Sequence, residues 1–167
     1  MIYISSGYFN KYSLNQFIKK IIDLSIYNIE LSAVNFSRED FERYLLNLKK
    51  DHNLNLLLHN YFLIERSNIV LNTADQSKKK LLIDYFKRAI DLSIKIGAKK
   101  YAIHSGFLFK INSFSDLNNS KKLKKIEKNE GLDTMLEINS KLKSFVGSNL
   151  KIYFENNVIS KKNFELF

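Results

Sequence analysis

The sequence predicts an α/β fold in which strands and helices alternate and the strands run parallel. Three observations carry this. Five short apolar segments have strand length: Ile2–Ser5, Asn28–Leu31, Leu54–His59, Tyr101–His104 and Ile152–Glu155. Helical patterns separate them. Each segment also ends on, or just before, a polar residue, and three of those endings are His59, His104 and Glu155. In a parallel β/α barrel the active site lies at the C-terminal strand ends.

Ile2–Ser5 is β-rich and is followed by Gly7, a turn residue. Ser13-Leu14-Asn15-Gln16 fits a capping box, and Leu14, Phe17, Ile18, Ile21 and Ile22 then repeat at helical spacing. Asn28–Leu31 is the second strand and carries Glu30. Ser37-Arg38-Glu39-Asp40 reads as a helix start with acids in its first turn, and Phe41, Tyr44, Leu45 and Leu48 supply the buried face. Leu54–Leu58 runs apolar with one Asn and ends at His59, as a buried parallel strand does.

A long connection follows, from Asn60 to about Asp75, with Tyr61 and Phe62 in it. Loops of this length inside domains are often functional. The third helix is expected over Gln76–Ile96, with Leu81, Leu82, Tyr85, Phe86, Ala89 and Ile90 inward and Gly97 closing it. Tyr101–His104 is the fourth strand. A polar stretch leads to a helix over Leu132–Val146, then to the fifth strand, Lys151–Glu155, and Ser160 reads as a further N-cap.

This alternation implies parallel strands. An open doubly wound sheet and part of a closed barrel both satisfy it. No GxGxxG follows the first strand and no GxxxxGK[ST] occurs, which weakens the case for a nucleotide-binding open sheet. A barrel needs eight strands and about 250 residues. Five strands in 167 residues therefore read as one domain over 1–167, the first five units of a (β/α)8 TIM barrel, truncated at the C-terminus.

Composition narrows the function. The chain is 45% hydrophobic and 26% charged, ordinary for a globular protein. It has no apolar run of membrane length and no basic-then-apolar leader, so a cytoplasmic location and no membrane partner are expected. With no cysteine, a disulfide framework, a thiol nucleophile and a Cys-ligated zinc are excluded. The net charge of +10 raises nucleic acid as a partner. The basic residues are 23 Lys and only 4 Arg, however, and Arg is the preferred residue for bidentate phosphate and guanine contacts. Solvated Lys on a biased composition is the stronger reading.

His59, His104 and Glu155 at equivalent strand ends form a two-imidazole, one-carboxylate set suited to a divalent metal. A hydrogen-bonded polar layer at the barrel mouth satisfies the same pattern. His52 belongs to a helix-to-strand connection at the opposite end and reads as surface. Glu30 suits metal ligation, a substrate hydroxyl, or the orientation of a ligating His. Tyr61 suits a pocket wall, and Asn156 a substrate contact or a turn. The chemistry that best matches His, His and Glu is metal-assisted polarisation of a carbonyl or activation of water.

Five motifs occur in one order: Leu58-His59-Asn60-Tyr61-Phe62, Val70-Leu71-Asn72-Thr73-Ala74, Arg88-Ala89-Ile90-Asp91-Leu92-Ser93 with Gly97-Ala98, Ile103-His104-Ser105-Gly106-Phe107, and Phe154-Glu155-Asn156. In them the chain resembles the xylose isomerase-like TIM-barrel superfamily. That superfamily contains sugar-phosphate isomerases and epimerases and the type IV apurinic endonucleases. The resemblance implies that His59 and His104 match metal ligands of the endonuclease branch and that Glu155 matches a ligand of both branches. In the isomerase branch further ligands come from strands six to eight, which this sequence does not contain. The family's His-Pro-Gly on strand four stands here as His104-Ser105-Gly106.

The resemblance thus implies a metal-dependent sugar or sugar-phosphate isomerase or epimerase. Its cofactor would be a divalent ion (Mn, Mg, Co or Zn), with Glu155 as the catalytic carboxylate and Glu30, Tyr61 and Asn156 touching a small sugar or sugar phosphate. The second expectation is a zinc-dependent abasic-site endonuclease, and the third an inactive fragment. Open edges at the first and fifth strands also lead one to expect self-association as a homo-oligomer.

Overall fold

The computed structural model describes residues 2–9, 11–32, 41–59, 76–104 and 130–155, with His104 and Glu155 described through their backbone. The expected helix start at 37–40, Tyr61, Asn156 and the segment from Ser160 lie outside these residues.

The strands are β1 (Ile4–Ser5), β2 (Asn28–Leu31), β3 (Asn55–His59), β4 (Lys100–His104) and β5 (Lys151–Glu155). The helices are α1 (Leu14–Asp23), α2 (Phe41–His52), α3 (Gln76–Lys95) and α4 (Glu130–Phe145), and a 3-10 turn covers Ser6–Phe9. All five strands are parallel and lie in the order β1-β2-β3-β4-β5. A doubly wound sheet reverses its strand order at a switch point. The consecutive order here has none, and it decides for the barrel arrangement.

Local chemistry explains the helices. Ser13 and Gln16 form the expected capping box: Ser13 N–H donates to Gln16 Oε1 at 2.9 Å, and Gln16 N–H donates to Ser13 Oγ at 3.3 Å. At the other end, α1, α2 and α3 stop in the same way. Ser25, Asn53 and Gly97 take left-handed φ values of 56°, 52° and 68°. Ile26, Leu54 and Ala98, one residue on, donate back to Ile21, Lys49 and Ser93 at 3.0, 3.1 and 2.9 Å. This is the Schellman turn, which satisfies carbonyls at the helix end. His52, expected in the connection, is instead the last residue of α2, and it is exposed.

Strand alternation sorts the sheet into two faces. Ile29, Leu31, Leu56, Leu58, Tyr101 and Ile103 are buried under the helices, against Phe17, Ile21, Leu45, Leu82, Phe86 and Ile90. Burying each such side chain contributes about 1.5–3 kcal/mol before entropy is counted. Leu81, expected inward, is 42% exposed. At 100° per residue Leu82, Phe86, Ala89 and Ile90 fall within about 100° of arc, and Leu81 lies outside it. Lys79 takes an inward position instead, and its ammonium pairs with Glu137 on α4, which also holds Lys141 at 3.0 Å.

The other face carries Ser5, Asn28, Glu30, Asn55, Leu57, His59, Lys100, Ala102, Lys151 and Tyr153, and by register the positions of His104 and Glu155. At its N-terminal end Asn55 Nδ2 donates to Asn28 Oδ1 at 2.9 Å. Lys100 and Lys151 are register partners there, and Lys100 Nζ lies 5.5 Å from the Tyr153 ring centre. No helix among the described residues is long and apolar enough to cross a membrane.

Candidate metal and substrate site

At the C-terminal end of β2 and β3 the structure brings two of the sequence candidates together. His59 Nδ1 lies 3.4 Å from Glu30 Oε1, with the two side chains 20% and 27% exposed. The contact follows from register. Glu30 is the partner of Leu57, and His59 stands two residues further along the same face. At 3.4 Å the pair is looser than an optimal N–H···O bond. Charge complementarity assigns the Nδ1 proton to the side facing the carboxylate.

The His59 imidazole 3.4 Å away holds the Glu30 carboxyl below its ordinary range, with a smaller contribution from the nearby Ser5 hydroxyl, while partial burial opposes the shift. Glu30 is therefore a carboxylate at neutral pH. Of the roles open to it in the sequence, the contact made is the orientation of an imidazole.

His104 and Glu155 are Cα partners at the last position of β4 and β5, on the face that carries Glu30 and His59. The backbone thus sets all four positions along one rim. Among residues described with their side chains, no group of three His, Asp or Glu meets.

A hydroxyl cluster beside Glu30 has no counterpart among the sequence candidates. Ser5 Oγ and Ser32 Oγ are 2.9 Å apart. Ser32 N–H donates to Ser6 Oγ at 2.9 Å, and Gly7 N–H approaches Ser5 Oγ at 3.4 Å. A Cβ on Gly7 would stand 3.2 Å from Ser32 Cβ and Oγ, so glycine lets the 3-10 turn close on Ser32. Only the strand-end positions of Ser5 and Ser32 hint at this in the sequence. A cavity of about 440 Å³ lies elsewhere, between α4 and β5 at Val146, Leu150, Ile152 and Phe154. It carries none of the rim chemistry.

Solved structures share this architecture. A D-tagatose 3-epimerase-like protein aligns over 95% of the chain and 53% of its own length, with 16% identity and a TM-score of 0.64. The fold is that of the sugar 3-epimerase barrels. An L-ribulose 3-epimerase aligns over 99% of the chain and 55% of its own, with 14% identity and a TM-score of 0.62. Endonuclease IV from Thermus thermophilus aligns over 93% and 50%, with 10% identity and a TM-score of 0.50. The chain therefore spans about half the length of these barrels. No protein-family model matches the sequence, and no curated protein does.

Proposed function

We propose that this chain carries one side of the active site of a metal-dependent sugar or sugar-phosphate isomerase or epimerase. One observation carries the reading: the Glu30–His59 pair stands on the same sheet face, and at the same strand ends, as the register partners His104 and Glu155. Its support from outside the chain is the fold shared with sugar 3-epimerases. The remaining donors would come from polypeptide beyond the five β/α units present here.

The donor set fits a divalent ion (Mn, Mg, Co or Zn). An imidazole whose Nδ1–H is given to a carboxylate offers Nε2 to a metal, and the carboxylate fixes the ring and raises its basicity. His59, His104 and Glu155 would hold the ion, with Glu30 behind His59. When bound, the ion polarises a substrate carbonyl and stabilises negative charge on its oxygen. Glu155 would then take a proton from the carbon beside that carbonyl. Tyr61 and Asn156, which come in sequence just after β3 and β5, would complete the substrate contacts.

The test is proton exchange. The 167-residue chain is incubated with D-tagatose or L-ribulose in D2O containing Mn2+, and deuterium at the carbon beside the carbonyl is read by NMR. Metal-dependent exchange that Glu155→Gln abolishes supports the reading. Metal-dependent nicking of an abasic oligonucleotide that His104→Ala abolishes, with no exchange on sugars, replaces it with the endonuclease reading. The His59 and His104 positions and the net charge of +10 favour that second reading, and the scarcity of Arg opposes it.

A further inference from the structure

The sheet face that carries Glu30 and His59 also carries two lysines set against each other. Lys100 and Lys151 are register partners, so their side chains leave the same face of adjacent strands. Both are exposed. Among the described residues neither pairs with a carboxylate, whereas Lys79, Lys95 and Lys141 do. Like charges directly opposite each other in a sheet are destabilising. A lysine-rich composition scatters ammonium groups over a surface, each solvated alone. It gives no reason for two of them to be register partners on the face of the candidate site.

The Lys100 ammonium has a definite direction. Tyr153 stands two residues beyond Lys151 on β5, and Lys100 Nζ lies 5.5 Å from the centre of its ring. The side chain therefore leans along the strands toward their C-terminal ends, and the ring attracts the cation there. Tyr153 is two residues short of Glu155, about 7 Å at the rise of a strand. Between these levels the face is low. Ala102 is the register partner of both His59 and Tyr153, and its side chain is a single methyl group. The floor at Ala102 thus has His59 on one side and Tyr153 on the other. The positions of His104 and Glu155 lie beyond it, and the Lys100 ammonium lies before it. A short carbon chain laid across Ala102 from the rim ends at that ammonium.

We propose that Lys100 and Lys151 bind the phosphate group of a ketose phosphate, whose chain crosses Ala102 and whose carbonyl lies at the His104 and Glu155 positions. The proposal rests on the sugar reading above and deepens it, because it selects the phosphate ester over the free sugar. A phosphate monoester carries a charge of about −1.5 to −2 at neutral pH, which two ammonium groups balance. A free sugar would leave the two cations opposed. Lysine serves such a group as a point charge and needs no bidentate alignment.

The test reads the phosphate seat and the sugar separately. Inorganic phosphate is titrated into the metal-free 167-residue chain, against sodium chloride of equal ionic strength, and the backbone amides of residues 100–102 and 151–153 are followed by NMR. Phosphate moves these signals and chloride does not. Lys100→Gln and Lys151→Gln each weaken phosphate by about fivefold to tenfold. Lys50→Gln removes an exposed charge in the last turn of α2 and leaves phosphate affinity unchanged. All three side chains are exposed, so the variants keep the fold. In a second arm, with Mn2+, D-tagatose 6-phosphate binds about tenfold more tightly than D-tagatose, and the double variant Lys100→Gln/Lys151→Gln removes the difference. Equal phosphate affinity in the wild type and the double variant overturns the seat and leaves the sugar reading standing. Equal binding of the two ketoses by a wild type that binds phosphate overturns the choice of the ester. A wild type that binds phosphate and neither ketose overturns the sugar reading, and the substrate assignment with it.

Discussion

The two ends of the sheet are built on different terms. At the N-terminal end the helix-to-strand connections are short: residues 24–27, 53–54, 96–99 and 146–150. At the C-terminal end the strand-to-helix connections are long: residues 6–13, 32–40, 60–75 and 105–129. The short end repeats one device three times, a Schellman turn that delivers Ile26, Leu54 and Ala98 to the sheet. The long end carries the Glu30–His59 pair, the serine cluster and the positions of His104 and Glu155. Barrels divide labour in this way, with stability at one rim and chemistry at the other.

Substitutions separate the two ends by size of effect. Leu54, 1% exposed at the short end, is expected to cost about 2–5 kcal/mol as Leu54→Ala, read from urea unfolding with an unchanged slope. Ser32→Ala, at the long end, stays within about 1 kcal/mol in the same assay. Equal losses at the two positions break the division. Gly97→Ala comes next. At φ 68° an L side chain costs about 1–2 kcal/mol, visible as a lower thermal midpoint.

Glu30→Gln tests the long end by pH. A carboxyl whose pKa is lowered on folding adds stability above its unfolded pKa, ordinarily 4.5 here, and loses it as pH falls through the lower folded value. The wild type is therefore expected to lose more stability than Glu30→Gln as pH falls from neutrality through the carboxylate range. The difference stays below about 1 kcal/mol because the pair is partly solvated. Parallel curves for the two proteins would remove the Glu30 contribution. The smallest effect is a gain. Ser25→Gly relieves a left-handed non-glycine residue and adds about 0.5 kcal/mol, net of the backbone entropy that glycine loses. A loss there means that the Ser25 side chain has a role.

Legibility in the sequence follows the same division. The capping box at Ser13 and Gln16 and the glycine at 97 are local signals, and both hold. The turn at Ser25 is silent in the sequence, because serine seldom marks a left-handed position, whereas Asn53 is a residue type that helix ends accept there. Leu81 is misread because the run Leu81-Leu82 fits two helix phases. Burial of Lys79 settles the phase, and its pairing with Glu137 across α3 and α4 permits that burial. The site is legible as strand ends. It is not legible as contacts, since the meeting of Glu30 with His59 depends on the offset of β2 against β3. The serine cluster needs β1, β2 and the 3-10 turn placed together, and serine has no pattern of its own.

The lysines at the N-terminal end of β4 and β5 have a consequence of a different kind. Lys100 and Lys151 are register partners, so two ammonium groups share one face of adjacent strands. Like charges so placed repel, and the Tyr153 ring attracts Lys100. Dissolved ions screen that repulsion. Rising ionic strength, which loosens exposed ion pairs such as Lys95–Glu42, therefore tightens the junction between β4 and β5.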